Sequence, residues 1–198
     1  GIIRSAQENN RITSASNGRV EWIGMELNQT VAAGDTLLIL NTDRIDEEIT
    51  WYQNQIARNN LHIHDIQNML AGNQNLQTLL YQNEYSQYLS RLHQHDNELK
   101  KTQKDYLIHQ KLFSQKVIAS QVFEEKQFLY EQARNALRCF KEQSLLTWQN
   151  QLEKLKLENN ECLSMTERLR QDKNHYILTA PVDGRITQFS GLQPGNFL

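Results

Sequence analysis

The 198-residue sequence predicts an α+β fold, in which a long antiparallel α-helical coiled-coil hairpin is inserted between two halves of one small β domain. Three observations predict this fold. Both prolines lie near the C-terminus, and Gly72 is the only glycine from residue 35 to residue 183, so the middle of the chain has too few turn residues for a multi-turn globule. A short sequence pattern occurs once before this stretch and once after it. Between the two copies, apolar residues recur at the alternating steps of a heptad.

The repeated pattern marks the two predicted β segments. Residues 13–20, TSASNGRV, align with residues 179–186, TAPVDGRI. Each copy places Asn-Gly or Asp-Gly before an arginine and a β-branched residue. This order predicts a tight turn with positive φ at Gly18 and at Gly184, each followed by a strand.

The first copy continues through Val20, Ile23, Leu27 and Val31 to a turn at Gly34 and a strand over residues 36–40. We interpret the two copies as halves of one β domain that comprises residues 1–41 and 177–198, the second half being incomplete. Two unrelated hairpins with a common turn are the alternative.

The first helix is predicted to begin directly after residue 41. Thr42 or Asp43 can cap its N-terminus, and the acidic residues that follow favour the positive end of the helix dipole. Its seam keeps alternating steps of four and three and consists of Ile45, Ile49, Tyr52, Ile56, Asn59, Ile63, Ile66 and Leu70. The pattern stops near Gly72, where we expect a break at residues 71–75.

The second helical seam is more polar than the first. It consists of Tyr85, Leu89, Leu92, Asp96, Leu99, Gln103, Tyr106, Gln110 and Phe113. Asp96, Gln103 and Gln110 are its three polar candidates for buried positions, so we expect a looser coil, or sites that admit neighbouring hairpins. A turn follows at residues 114–120, and Ser120 can cap the next helix.

The last helix changes the phase of its seam. It opens with Tyr130, Ala133, Leu137, Phe140 and Ser144 and continues with Leu145, Trp148, Leu152, Leu155, Asn159, Cys162, Thr166, Leu169, Lys173 and Tyr176. The shift near Ser144 predicts a local change of supercoil.

The hairpin tip is placed at residues 114–120 because a tip at Gly72 would leave two arms of very unequal length, which cannot pair end to end. The predicted helical hairpin therefore comprises residues 42–176, with a break near 71–75.

Charge and composition exclude several functional classes. A formal net charge of -2 and a pI of about 6.3 provide no basic footprint for nucleic acid. No apolar run approaches the roughly 20 residues that span a bilayer. The His-x-His pairs at 62–64 and 93–95 place their imidazoles on different helix faces, so we predict no metal site. The sequence has no nucleophile elbow, no triad spacing and no Gly-rich phosphate loop, so we predict no catalytic site and no cofactor site. Cys139 and Cys162 are expected to be free thiols.

The arrangement resembles the HlyD-like membrane fusion proteins, also called periplasmic adaptor subunits. A Gly-Arg-Val half, a long helical hairpin and the string APVDGRI at residues 180–186 carry the resemblance, which covers nearly the whole chain. In that family an α-helical hairpin divides a biotinyl-lipoyl-like β domain, so the resemblance implies such a domain here. The string SGLQPG at residues 190–195 looks more like adaptors of ABC-type (type I) peptide or protein exporters.

The resemblance also implies a partner-binding tip within residues 112–124. The candidates are Leu112, Phe113, Ser114, Val117, Ile118 and Ser120. Family tips that meet an outer-membrane channel carry an Arg, a Leu four residues later and a Ser seven residues beyond that. Leu112 matches the Leu, whereas Ile108 and Ala119 stand at the Arg and Ser positions, with Ser120 one place away.

The function implied is that of a non-enzymatic periplasmic adaptor without a cofactor, which bridges an inner-membrane transporter, favoured to be ABC-type, to a TolC-like outer-membrane channel. The β domains are expected to associate into a ring, a hexamer in the full assembly, with the hairpin tips docking the channel. The family also implies a periplasmic protein held by an N-terminal transmembrane helix, which this fragment lacks.

Two other functions stay open at this stage. One is a lipoyl- or biotinyl-type covalent carrier, although no lysine occurs before Lys100 and Thr42-Asp43-Arg44 occupies the junction where an attachment lysine is needed. The other is a plain coiled-coil scaffold with independent β ends.

Overall fold

The computed structural model describes residues 11–189 and 191–198. Its helices are α1 Asp43–Leu70, α2 Leu79–Ser114 and α3 Ser120–Asn174. The strands are β1 Val20–Ile23, β2 Thr30–Val31, β3 Thr36–Leu40, β4 Ile177–Thr179 and β5 Gly184–Arg185. The chain is therefore mostly helical with small antiparallel sheets. None of the described helices carries an apolar stretch of the length that a bilayer crossing needs.

The chain divides into two compact units. Ile56–Asn160 forms a purely helical unit, and Gly1–Gln55 with Glu161–Leu198 forms the unit that holds the strands.

In the unit with strands, segments from before and after the helices pair with each other. β3 lies between β1 and β4 in a three-stranded antiparallel sheet, and β2 pairs with β5. Two apolar clusters form the core: Val20, Leu38 and Leu40 with Tyr176 and Leu178, and Val31, Leu37 and Ala180 with Ile186. Both clusters combine residues that are more than 130 positions apart in sequence.

Gly18 and Gly184 do not adopt the positive φ that their Asn-Gly and Asp-Gly dipeptides predicted, and that prediction is wrong. Gly184 begins β5 and pairs with Val31, while the carbonyl of Gly18 accepts a hydrogen bond from the N–H of Leu198. Backbone hydrogen bonds to distant segments thus hold both glycines, and these contacts override the local turn preference. The turn predicted at Gly34 is present, with φ +93°.

An ion pair joins the first turn of α1 to the last turn of α3. Lys173 Nζ lies 2.7 Å from Asp46 Oδ1, and the Thr42 hydroxyl donates to Asp46 Oδ2 at 2.9 Å. The hydrogen bonds from Lys173 and Thr42 hold the pKa of Asp46 below its ordinary value. Thr42 therefore orients a carboxylate at the positive end of α1 instead of capping a backbone amide with its own hydroxyl.

A buried carboxylate organises the segment between α1 and α2. Asp65 is 0% exposed and accepts hydrogen bonds from the backbone N–H groups of Gln77 at 2.7 Å and Thr78 at 2.8 Å, and from the Thr78 hydroxyl. Burial by itself raises the pKa of Asp65, but these hydrogen bonds outweigh it and lower the pKa overall. Asp65 thus satisfies donors at the start of α2, where Thr78 makes no side-chain cap of its own.

Trp148 of α3 lies at the centre of the helical unit's core. We call this group the Trp148 cluster: Ile66, Met69, Leu76, Tyr81, Tyr85 and Trp148. Trp148 is 3% exposed, and its indole Nε1 donates to Glu84 Oε1 at 2.9 Å. The cluster therefore packs residues of α1, of α2 and of the segment between them against one position of α3.

The predicted change of phase near Ser144 is visible in the burial pattern of α3. Phe140, Ser144, Trp148 and Leu152 face inward in three consecutive steps of four residues, whereas the predicted seam residue Leu145 is exposed. Consecutive four-residue steps locally unwind a coiled coil. The wider spacing places the large Trp148 side chain in the core.

The seam of α2 departs from its prediction near the tip. Gln103 and Gln110 are exposed, so they are not buried polar positions, and Thr102 and His109 are half-buried in their place. The inward-facing residues are Thr102, Tyr106 and His109, which are four and then three positions apart. The predicted seam has a step of three residues before Tyr106 and a step of four after it, so the order is reversed. Because the average helical repeat lies between these steps, either order satisfies the periodicity, and packing against α3 selects one.

Candidate partner-docking site

The turn between α2 and α3, residues 115–119, has the geometry of a Schellman cap. The N–H of Lys116 donates to the carbonyl of Phe113, and the N–H of Val117 donates to the carbonyl of Leu112, both at 2.9 Å. Lys116 has φ +58°, the left-handed conformation that glycine usually supplies at this position. These bonds satisfy the last carbonyls of α2 and set the direction in which the chain leaves the helix.

Stacked aromatic rings join α2 to α3 next to this turn. The rings of Phe113 and Phe123 lie 4.9 Å apart and 4° from parallel, and Tyr106 packs on Phe123 at 5.8 Å and on Tyr130 at 5.3 Å. Such pairs contribute about 0.5–1.5 kcal/mol each beyond their buried area. The stack therefore anchors the turn and sets the register of the two helices.

Ser120 does not cap α3 as predicted. It is the first residue of the helix, and its hydroxyl donates to Glu124 Oε1 at 2.6 Å. The position before the helix belongs to Ala119, which has no side-chain acceptor, so the cap prediction fails by one residue.

The six sequence-predicted tip residues come together at this turn but differ in accessibility. Val117 is 65% exposed and Phe113 is 39% exposed, while Leu112 and Ile118 are half-buried. Ser114 and Ser120 are exposed, and the Ser114 hydroxyl donates to the carbonyl of Lys111 at 2.7 Å. The accessible apolar surface of the turn is therefore made by Val117 and Phe113.

The adjoining helix surfaces carry exposed apolar side chains that belong to neither predicted seam nor the predicted tip set. They are Leu107, Ile108, Val122, Phe128 and Leu129. Their signal was present in the sequence, because each stands outside the predicted heptad seams and yet carries an apolar side chain. Large apolar residues that a coiled coil does not bury are candidates for contact with another molecule.

Metal-ligating side chains are not clustered in the described part of the chain. No group of three His, Cys, Asp or Glu side chains there could hold a metal ion. In the first His-x-His pair, the ring of His62 packs on Tyr81 and His64 lies beside Asn68. In the second pair, His93 lies beside Asn97 and the ring of His95 packs on Phe140. Cys139 and Cys162 are free thiols.

The fold of this chain, but not its sequence, matches known proteins. No protein-family model matches the sequence, and no curated protein sequence matches it. The structure of the periplasmic adaptor protein EmrA matches with a TM-score of 0.51 over 98% of this chain and 69% of the EmrA chain, at 16% identity. The soluble domain of LipC, a membrane fusion protein of a type I secretion system, matches with a TM-score of 0.54 over 96% of both chains, at 13% identity.

The chain has the fold of a periplasmic adaptor. The resemblance to the HlyD-like membrane fusion proteins that the sequence motifs indicated is thereby confirmed at the level of the fold.

Proposed function

We propose that this chain is part of a non-enzymatic periplasmic adaptor, which bridges an inner-membrane exporter to an outer-membrane channel for secretion or efflux. The observation that carries the proposal is an adaptor fold that ends in an ordered turn with accessible apolar side chains. The exporter is proposed to be ABC-type, which the likeness to LipC of a type I secretion system supports.

We assign residues 1–41 and 177–198 to one biotinyl-lipoyl-like β domain, and residues 42–176 to a helical hairpin inserted in it. Pairing of β3 with β4 and of β2 with β5 supports this division over independent β ends. In the full assembly the β domains associate into a ring, a hexamer, on the periplasmic side of an inner-membrane anchor.

The tip candidates Leu112, Phe113, Ser114, Val117, Ile118 and Ser120 are proposed to dock a TolC-like channel. Among their apolar members, Val117 is the side chain that a partner helix reaches most easily, because 65% of it is exposed. Ile108 and Val122 are further exposed apolar side chains on the adjoining turns of α2 and α3, so we propose that the contact relies more on apolar packing than on the Arg and Ser of the family motif.

Replacement of Val117 tests the docking proposal. Val117→Asp places a charge in the expected contact and lowers the recovery of a purified TolC-like channel in a pull-down about tenfold, the loss that one central apolar contact produces. Leu112→Asp is expected to have the same effect. It needs a check of folding by circular dichroism, because Leu112 is half-buried.

Leu157→Asp is the matched control for this pull-down. Leu157 is 61% exposed on α3, about 55 Å along the helix from Ser120. Its replacement leaves channel recovery unchanged. Recovery at full yield with Val117→Asp and Leu112→Asp would overturn the tip assignment.

The covalent-carrier alternative lacks an attachment residue. Neither residues 1–41 nor residues 177–198 contain a lysine. An intact mass that includes a lipoyl or biotinyl adduct would reverse this conclusion.

A further inference from the structure

The segment between α1 and α2 folds back beside the end of α1. Thr78, the residue before α2, is hydrogen-bonded to Asp65, and the ring of Tyr81 packs on His62. The first turn of α2 therefore lies beside the last turns of α1 and not beyond its end. We call residues 71–78 the α1–α2 joint.

The hydrogen bonds of the joint connect residues that are close in sequence. The side-chain amide of Asn68 donates to the carbonyl of Asn75 at 3.0 Å. The side-chain amide of Gln82 donates to the carbonyl of Leu76 at 2.7 Å. Even the bonds to Asp65 span at most 13 positions. Breaking these bonds therefore does not require unfolding of any part of the chain that is distant in sequence.

Asp65 provides the strongest of these contacts. Its buried carboxylate accepts three hydrogen bonds, from the N–H groups of Gln77 and Thr78 and from the Thr78 hydroxyl. Hydrogen bonds to an ionised acceptor are roughly twice as strong as those between neutral groups. Residues 71–75 are exposed, so water can replace the bonds that they make. Closure of the joint thus depends mainly on one side chain.

Leu76 is the side chain by which the joint enters the core. It is 7% exposed and belongs to the Trp148 cluster, whose other members lie on the three helices. The ring of Tyr88 also holds α2 to α3, at 4.8 Å from Trp148 and 5.5 Å from Phe140. Withdrawal of Leu76 therefore leaves the packing of α2 on α3 in place.

We propose that the α1–α2 joint opens as a local unit, with Asp65 as the latch that keeps it closed. In the open state the hydrogen bonds to Asp65 are broken and Leu76 is exposed to solvent, while α2 stays paired with α3. Segments with few buried apolar contacts open at a fraction of the free energy of global unfolding. The end of α1 and the start of α2 can then separate without unfolding of either helix. This inference does not depend on the proposed adaptor function.

Labelling of buried cysteines tests whether the opening is local. In a background of Cys139→Ser and Cys162→Ser, Leu76→Cys and Met69→Cys are made separately and treated with N-ethylmaleimide under native conditions. Met69 is the matched control, because it is 2% exposed in the same cluster but lies on α1. Leu76→Cys is expected to react at least tenfold faster. Equal rates would mean that both thiols are exposed only by global unfolding, which overturns the proposal.

Addition of Asp65→Asn to the two cysteine proteins tests the latch. The labelling rate of Leu76→Cys is expected to rise about tenfold or more, the factor that corresponds to loss of a buried acceptor, while the rate of Met69→Cys stays low. Thr78→Val, which removes one of the three donors, is expected to produce a smaller rise. An unchanged rate for Leu76→Cys in the presence of Asp65→Asn would show that Asp65 is not the latch.

Hydrogen exchange measures the same opening in a protein with its native core residues. In Asp65→Asn the amides of Gln77 and Thr78 are expected to exchange about tenfold faster, while the amide of Leu99 in the middle of α2 keeps its rate. Asp96→Asn is the control, because its carboxylate bonds Lys100 on the helix surface, and it leaves exchange at Gln77 and Thr78 unchanged. Equal acceleration at Leu99 would indicate global destabilisation and would contradict a local joint.

Discussion

At the scale of single residues, Lys116 occupies a backbone conformation that disfavours any side chain with a Cβ. Its φ of +58° belongs to the left-handed region, which costs a non-glycine residue about 1–2 kcal/mol. The Schellman hydrogen bonds through Phe113 and Leu112 hold it there. The chain thus tolerates local strain in order to reverse direction tightly between two long helices.

Lys116→Gly is therefore expected to stabilise the protein. The gain is about 1 kcal/mol in the free energy of unfolding, since glycine adopts this φ without steric cost. Urea denaturation followed by circular dichroism measures it. Lys116→Ala removes the same charge but keeps the Cβ, so this control yields no comparable gain; equal stabilisation by both would attribute the effect to charge instead of backbone strain.

The structure also separates residue types that look equivalent in sequence. The heptad spacing predicts Asn59 and Asn159 within apolar seams, and both side chains are buried. The amide of Asn159 donates to Asn60 Oδ1 at 2.7 Å. Gln103 was assigned to a seam by the same reasoning and is exposed, because the inward steps of α2 shift by one residue after Leu99.

At the scale of elements, the shift in the seam of α3 lies in space beside the end of α1 and the start of α2. Trp148 packs there against Ile66, Met69 and Leu76 of the Trp148 cluster. One continuous helix thereby supports two shorter helices and the segment between them.

Trp148→Ala is expected to cost about 3–5 kcal/mol of stability, the range for truncation of a buried aromatic residue. Thermal unfolding followed by circular dichroism measures the loss. Leu146→Ala is the control, because Leu146 is 57% exposed on the same helix, and it changes stability by less than about 0.5 kcal/mol. A small effect of Trp148→Ala would mean that the cluster does not hold α1 and α2 to α3.

At the scale of the whole chain, stability is expected to decline in acid. The pKa values of Asp46, Asp65 and Asp96 are all lowered in the folded protein; for Asp96 the main cause is the hydrogen bond from Lys100 at 2.7 Å. A lowered folded pKa means that the unfolded chain binds protons more readily, so this stabilisation is present above the ordinary value of 3.8 and disappears as the pH falls through the folded values.

Unfolding by urea at a series of pH values tests this dependence. Stability is expected to vary little from pH 7 to pH 5 through these groups and to fall below about pH 4. Asp65→Asn replaces one acceptor oxygen of Asp65 by an NH2 group, so at least one of the three donors from Gln77 and Thr78 loses its acceptor. The change is expected to cost about 1–3 kcal/mol at neutral pH and to make the acid decline shallower. Glu142→Gln, on the exposed surface of α3, changes neither quantity. If the stability of Asp65→Asn fell as steeply in acid as that of the unmodified protein, Asp65 would not contribute to the pH dependence.

Local sequence was sufficient to predict the helices, the seams of α1 and of most of α3, and the strand over residues 36–40. These features depend on periodicity, on the absence of glycine and proline, and on propensities that act between near neighbours. Tertiary structure alone decided which glycines are left-handed, which step of the α2 seam faces inward, and which tip side chains stay exposed. Each of these depends on contact with another element: β2 for Gly184, α3 for the seam of α2, and the aromatic stack between α2 and α3 for the tip. Periodicity can identify a helix face, but only packing against another element selects among side chains one residue apart.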